Sequence, residues 1–187
     1  MRLNKIYYFI LILCSFLNAE IGLTLVGGFN HSNVIHQNKQ MQEWSGDVKS
    51  LSFAIERKLG PVKTSIGYIN GGFINGRSDI DTTLNVSFLN IESYYPINIG
   101  KIMLLGGVYI AGPLSANETY STGSSITIKS EELNIDYGVL MGGSFGLNEK
   151  IGIRIIIHYG LVDLWKDPLQ RGSLSTIFSG VNIYYNL

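Results

Sequence analysis

Apolar and polar residues alternate with a period of two along most of the chain, and this pattern constrains the fold more than any other feature. The clearest case runs from Ile151 to Leu161, where every odd position is apolar and the even positions include Arg154 and His158. Successive side chains of a β-strand point to opposite faces, so this segment has one continuous apolar face. The same pattern predicts eight strands, at about 21–30, 50–59, 62–73, 83–97, 101–111, 132–146, 150–161 and 174–187.

Two of these eight segments are harder to interpret. Between Leu84 and Ile97 the apolar positions change parity near Phe88 and Leu89, which predicts a β-bulge. In the segment 101–111 both faces are apolar, and the alternation leaves its register open.

The connections between the strands alternate between short and long. The tight links lie at Gly60-Pro61, Asn98-Ile99-Gly100 and Asn148-Glu149, and the longer polar links are 31–49, 74–82, 112–131 and 162–173. Short turns at one end and long loops at the other are typical of bacterial outer-membrane barrels, and strands of this length suffice to span a membrane. We therefore expect an all-β protein, with residues 20–187 forming an eight-stranded antiparallel up-and-down transmembrane β-barrel.

The N-terminus predicts export. Arg2 and Lys5 precede an apolar run, and Ala19 supplies a small residue before Glu20. This layout predicts a signal peptide at residues 1–19 and cleavage after it, in preference to lipidation at Cys14. The expected localisation is the cell outer membrane.

Composition excludes several classes of protein. The 14 basic residues balance the 14 acidic ones without a basic cluster, so no nucleic-acid partner is expected. The single cysteine excludes a disulfide scaffold.

The expected partners are outer-membrane lipid, lipopolysaccharide and the barrel assembly machinery. We expect a monomer without a cofactor or a metal ion.

The residues opposite the apolar face indicate which face meets lipid. That face carries mainly Gly, Ser, Asn and Ala, whereas a water-exposed wall usually carries many charged side chains. Small residues fit the narrow lumen of an eight-stranded barrel, so lipid is expected outside. The alternative is a periplasmic, lipocalin-like carrier with an apolar lumen.

Two charged residues fall on the face that is expected to line the lumen. Glu56 and Arg154 each lie about four residues from a short turn, which places them at a similar height. Buried charges require partners, so we expect a structural ion pair across the lumen; a gate or conduction site is the alternative. No open pore is expected.

A lipid-modifying enzyme, similar to a lipid A deacylase, is the second alternative function. Its candidate residues are His158, near the outer end of the lumen, and Asp136. No serine is clearly placed with them, and Ser32 beside His31 points away because adjacent residues of an extended chain face apart. We therefore expect no catalytic site.

Other polar and aromatic residues have simpler interpretations. His31 and His36 lack a third ligand at a metal-binding spacing. Asp79 and Asp81 suit either a divalent cation or solvated loop charge. The tyrosines near strand ends are expected in the aromatic girdles: Tyr94, Tyr95, Tyr109, Tyr159 and Tyr185. Trp44 and Trp165 lie in or beside long loops, where they either contact a partner or pack the loops.

Several short motifs occur in an order that resembles the PorT-like outer-membrane β-barrel family of Bacteroidota. They are Gly27-Gly28-Phe29-Asn30, Leu89-Asn90-Ile91, Ala111-Gly112-Pro113 and the region from Asn134 to Leu161. The resemblance covers residues 20–187 and implies an outer-membrane barrel, with no catalytic or binding residues to carry over. The C-terminal Leu187 departs from the aromatic residue that usually ends such barrels.

Overall fold

The computed structural model describes residues 22–36, 45–75, 81–167 and 173–187. These residues form nine β-strands and a short 3₁₀ helix at Ser130–Glu132. The strands are β1 (Leu23–His36), β2 (Ser45–Leu59), β3 (Val62–Asn75), β4 (Thr82–Ile99), β5 (Ile102–Tyr120), β6 (Ser125–Ile128), β7 (Asp136–Gly146), β8 (Ile151–Asp163) and β9 (Leu174–Asn186). Within these ranges, no helix has the length and apolar character needed to cross a bilayer.

Eight of the strands close into one antiparallel barrel. The order around the barrel is β1, β2, β3, β4, β5, β7, β8 and β9, and β9 pairs with β1 to complete the ring. Closure gives each of these strands two hydrogen-bonded neighbours, which removes the open edges that lipid could not satisfy. The predicted eight-stranded antiparallel barrel is confirmed.

The short links all lie at one end of the barrel, as the sequence predicted. Two-residue turns connect β2 to β3 and β4 to β5, and residues 147–150 connect β7 to β8. Gly60 and Gly100 occupy these two-residue turns with φ of +60° and +62°. Glycine adopts this left-handed conformation without the steric cost of a Cβ atom, which explains its position in both tight turns.

Several strands extend further at their outer ends than the alternation predicted, whereas β7 is shorter. β5 continues to Tyr120 instead of ending at Ala111, and it pairs there with the short strand β6. The expected loop 112–131 therefore contains a β-hairpin, and β7 begins at Asp136 rather than at 132. The outer part of β5 is rich in Ser, Asn and Thr, so the chain forms strand there without the apolar alternation that marks a half-buried strand.

The predicted irregularity near Phe88 is present, but the extra residue lies on the neighbouring strand. The β4–β5 register shifts between Ser87 and Phe88. Leu114 of β5 lies opposite this point and has no partner residue on β4. The inward-facing residues of β4 keep the same parity on both sides of this point. The apparent change of parity arises because the lumen changes from apolar to polar at this height.

The outward-facing side chains form an apolar belt. Along β8 the odd residues from 153 to 161 are exposed and the even residues from 152 to 160 are buried, as predicted. From Ile151 to Leu161 there are ten residue steps; at about 3.3 Å each and tilted by about 40°, they give a belt about 25 Å high, which matches the hydrocarbon-facing band of outer-membrane barrels. In β5, whose register the sequence left open, Leu105 and Tyr109 face inward while Leu104 and Val108 face outward.

The lumen is filled by two different kinds of side chain. Its half nearer the long loops contains an apolar cluster, in which the rings of Phe88 and Phe178 meet edge to face at 5.9 Å. Its half nearer the short turns contains buried charged and polar residues, among them Glu56, Ser65 and Arg154. The polar half is the candidate site described next.

Candidate functional site

Glu56 of β2 is the centre of the polar lumen and is 1% exposed. Arg154 Nη1, on β8, donates to Glu56 Oε2 at 2.7 Å. Lys63 Nζ, on β3, donates to Glu56 Oε1 at 2.9 Å, and the Tyr94 hydroxyl donates to Oε2. The structure thus brings Glu56 and Arg154 together across the lumen and adds two partners that were not predicted from the sequence.

Aromatic rings complete the surroundings of Arg154. Its guanidinium carbon lies 5.3 Å from the centroid of the Tyr94 ring and 5.6 Å from that of Tyr184. These distances are within the range of cation–π attraction, which is strongest where water is excluded. Arg154 is therefore held by one carboxylate and two aromatic rings, and its side chain is 2% exposed.

A second carboxylate, Glu92 of β4, binds His158. His158 Nε2 lies 2.9 Å from Glu92 Oε1. Ser65 Oγ donates to Glu92 Oε2 at 3.2 Å, and Asn90 Nδ2 donates to Oε1 at 2.6 Å. His158 is thus part of a hydrogen-bonded group centred on a carboxylate that the sequence did not single out.

Asp136 belongs to a separate group at the outer side of the lumen. Its Oδ2 accepts hydrogen bonds from the Tyr109 hydroxyl at 3.0 Å and from the Thr176 hydroxyl. The Tyr109 ring also meets the His158 ring edge to face, with centroids 5.0 Å apart. Tyr109 therefore contacts both candidates of the enzyme alternative, whereas the structure records no hydrogen bond between His158 and Asp136 themselves.

Within the described residues, no serine hydroxyl is hydrogen-bonded to His158. Its Nε2 is bound to Glu92, and its Nδ1 has no hydrogen-bond partner in the described part of the chain. A serine nucleophile requires a base within hydrogen-bond reach of its hydroxyl. His158 is 3% exposed and packs against Phe178 as well as Tyr109, so its ring is held in place inside the lumen.

A small cavity of about 30 Å³ lies among these groups. Its polar lining includes Ser65, Asn90, Glu92, Arg154 and His158. A volume of this size accommodates one or two water molecules, and several polar atoms around it are the kind that buried water satisfies. It is far below the roughly 300 Å³ at which small-molecule pockets begin.

The candidate metal ligands are not assembled into a site within the described residues. No group of three or more His, Cys, Asp or Glu side chains there is placed to hold a metal ion. His31 Nε2 lies 3.2 Å from Asp47 Oδ2 at the outer rim, and Asp81 is exposed. The side chain of His36 and all of Asp79 lie outside the described residues.

The aromatic residues divide between the wall and the lumen. Tyr95, Tyr159 and Tyr185 are 53%, 40% and 39% exposed on the outer wall, as expected for girdle residues. The prediction was wrong for Tyr94 and Tyr109, which are 1% and 4% exposed and donate hydrogen bonds inside the barrel. Both lie on strands with apolar residues on both faces, where alternation gives no reliable direction.

The loop tryptophans have different outcomes. Trp165 is 5% exposed and forms a β-bridge with Leu133, which is itself 1% exposed. This burial fits the loop-packing interpretation rather than an exposed contact residue. Trp44 lies outside the described residues.

Sequence reasoning missed Lys63, Glu92 and Tyr94. A signal existed for Lys63, because it alternates with Val62 and Thr64 on the face assigned to the lumen and directly follows a short turn. Glu92 and Tyr94 occupy the strand whose parity was ambiguous, so their direction was not available from the pattern.

The closed barrel with an apolar belt outside and ion pairs inside has the fold of an eight-stranded outer-membrane β-barrel. Two solved structures are similar to it. Neisserial surface protein A aligns with a TM-score of 0.61 at 12% identity, over 87% of this chain and 96% of that chain. The attachment invasion locus protein Ail of Yersinia pestis, solved with the heparin analogue sucrose octasulfate, aligns with a TM-score of 0.55 at 11% identity, over 90% of this chain and 100% of its own.

The likeness to these two proteins concerns the fold alone, because the sequence identities are low. No protein-family profile matches the chain. No curated protein sequence matches it either.

Proposed function

We propose that this protein is an integral outer-membrane barrel without catalytic activity, which supports the envelope or presents its outer loops to a binding partner. The observation that carries this proposal is the continuous apolar belt around a barrel whose interior holds buried ion pairs. Contiguous apolar surface of this extent is costly in water and marks a membrane-facing wall. The similar fold of two outer-membrane proteins supports the same proposal.

The proposal includes an orientation and a route. Residues 1–19 direct export as a signal peptide, the barrel assembly machinery inserts the chain as a monomer, and the short turns face the periplasm. The belt then contacts outer-membrane lipid, and the loops lie among lipopolysaccharide. Membership of the PorT-like family remains part of this proposal, supported by the ordered sequence motifs described above.

The outer hairpin formed by β5 and β6 favours a role in binding. It continues beyond Leu114, the last apolar residue of the belt on β5, and it carries mostly Ser, Thr and Asn side chains. Ile126 of β6 is 53% exposed at its surface. The backbone pairing of β5 with β6 holds these side chains at regular spacings beyond the belt, which suits recognition of a partner.

The two alternative functions have less support. A lipid A deacylase-like enzyme requires a nucleophile within reach of His158. Its Nε2 is bound to Glu92, and within the described residues no hydroxyl group is hydrogen-bonded to its Nδ1. A lipocalin-like carrier requires room for a lipophile, and the cavity beside Glu92 and His158 measures about 30 Å³.

The proposal is tested by fractionating cells that express the full chain and analysing the extracted protein by electrophoresis with and without boiling. We expect recovery in the outer membrane and a heat-dependent change in mobility, because a folded barrel migrates differently from its unfolded chain. A variant lacking residues 1–19 is the matched control and is expected to be absent from the outer membrane. Recovery of the full chain as a soluble periplasmic protein would overturn the proposal.

The non-catalytic part has its own test. Cells expressing the wild type and the His158→Ala variant are expected to contain lipid A of the same mass as cells without the protein. A change in lipid A mass that appears with the wild type and disappears with His158→Ala would establish the enzyme alternative instead.

A further inference from the structure

A groove of about 570 Å³ crosses the outer wall where β1, β9 and β8 lie side by side. Phe29 and Ile155 are both register partners of Val181, so the three side chains form one row across the strands. In the next row towards the outer rim, Ser179 is the partner of His31. The small Ser179 side chain leaves a gap in the wall between larger neighbours.

The row that borders this gap on the side of the short turns is strongly apolar. Phe29 is 73% exposed, the largest value among the exposed large apolar side chains of the described residues. Val181 and Ile155 are 55% and 56% exposed. Phe29 therefore projects from the wall beside a depression, which gives an elongated apolar surface rather than a flat one.

One lysine side chain lies at the outer mouth of the groove. Lys49, the register partner of His31, lines the mouth and is exposed. The nearby carboxylate of Asp47 does not line the groove and is bound by His31 Nε2 at 3.2 Å and by Asn33 Nδ2 at 2.5 Å. No ion pair within 4.0 Å is recorded for Lys49 in the described part of the chain.

We propose that this groove binds a phosphate-bearing acyl lipid of the outer leaflet, with one acyl chain between Phe29 and Ile155 and the phosphate at the Lys49 ammonium. An apolar channel that ends at the Lys49 ammonium matches the two chemical halves of such a lipid. A charged side chain at the boundary of the belt is placed at the depth of the lipid headgroups. The inference rests on the proposed function, because it requires the wall to face lipid.

Native mass spectrometry of the folded full-length protein in detergent tests the proposal. The probes are phosphatidic acid, the diacylglycerol with the same acyl chains, and inorganic phosphate. We expect retention of one phosphatidic acid per barrel in clear preference to either other probe, because each of those lacks one half of the ligand. Equal retention of diacylglycerol would refute the role of the phosphate, and binding of inorganic phosphate alone at the same concentration would refute a lipid site.

Two pairs of variants locate the site. Lys49→Gln removes the cation and Ser179→Leu fills the gap, and each is expected to weaken phosphatidic acid binding by about fivefold or more. The matched controls are Lys58→Gln, at the opposite end of β2, and Ser93→Leu, on the wall of β4; both are expected to bind as the wild type does. Unchanged binding in Lys49→Gln and Ser179→Leu, or equal losses in the controls, would overturn the proposal.

The heat-dependent mobility of each variant separates the possible failures. A barrel that keeps its mobility shift but shows no selective retention overturns the lipid site alone. A wild-type chain that fails to enter the outer membrane overturns the proposed function instead.

Discussion

The lumen network predicts that Glu56 and Arg154 contribute unequally to stability, although they form one ion pair. Glu56 is the hub, since Arg154, Lys63 and Tyr94 all donate to its carboxylate. Arg154 has one carboxylate within 4.0 Å in the described structure. Removing Glu56 therefore leaves a guanidinium buried without its partner, whereas removing Arg154 leaves a carboxylate that is still bound by two donors.

The magnitudes follow from the burial of each group. Breaking a buried ion pair by removing one partner costs about 3–5 kcal/mol, and we expect this value for Glu56→Leu. Arg154→Met is expected to cost about 1.5–3 kcal/mol, the usual value of a hydrogen bond to a charged group, because Lys63 still neutralises Glu56. Lys63 is 19% exposed, so water can solvate it when the carboxylate is removed. The double variant Glu56→Leu, Arg154→Met is expected to be more stable than Glu56→Leu alone.

The assay is the unfolding of vesicle-inserted protein by urea, with the folded fraction read from the heat-dependent gel mobility and extrapolated linearly to water. The free energies of the wild type, both single variants and the double variant complete a double-mutant cycle. A Glu56→Leu variant within 1 kcal/mol of the wild type, or an Arg154→Met variant less stable than Glu56→Leu, would refute the hub assignment.

Three further predictions concern packing and permeation. Gly107→Ala is expected to destabilise the barrel by about 1–3 kcal/mol, because its Cβ would lie 2.2 Å from the Ser93 carbonyl oxygen. Gly106→Ala, which meets nothing within 4 Å, is the matched control and should unfold in urea as the wild type does. Trp165→Ala is expected to expose the outer loops to limited proteolysis while the heat-dependent mobility persists, since the Trp165 side chain is 5% exposed and the substitution removes its packing beside the barrel mouth; unchanged proteolysis would contradict the packing role. In planar bilayers the wild type should show no stepwise ion conductance, because the polar lumen retains a cavity of only about 30 Å³; regular conductance steps would refute a closed lumen.

The sequence was sufficient to predict the barrel because its central strands must separate lipid from a narrow interior. That requirement produces alternation in β8 and β9 and puts glycine in the turns at Gly60 and Gly100. The alternation did not predict where the strands end on the outer side. Beyond the belt, β5 carries polar residues up to Tyr120, so the physical cause of alternation ends before the strand does.

The candidate site was predictable only where a strand had an unambiguous polar face. Glu56 and Arg154 were assigned to the lumen from parity, and the structure brings them together. His158 was assigned to the lumen as well, but its partner is Glu92 rather than Asp136. The register and curvature of the whole barrel determine which residue of β4 meets β8 across the lumen. A local sequence pattern does not contain this information.

The central claim is that the outer wall faces hydrocarbon, and depth-dependent fluorescence quenching tests it most directly. A polarity-sensitive fluorophore is attached to a cysteine introduced at Ile155, in the middle of the belt, and in a second protein at Ser121, in the turn between β5 and β6, each without residues 1–19 and therefore without Cys14. In vesicles whose acyl chains carry bromine, the account predicts blue-shifted emission and strong quenching at position 155, and neither at position 121. Water-like, unquenched emission at position 155 would contradict the account.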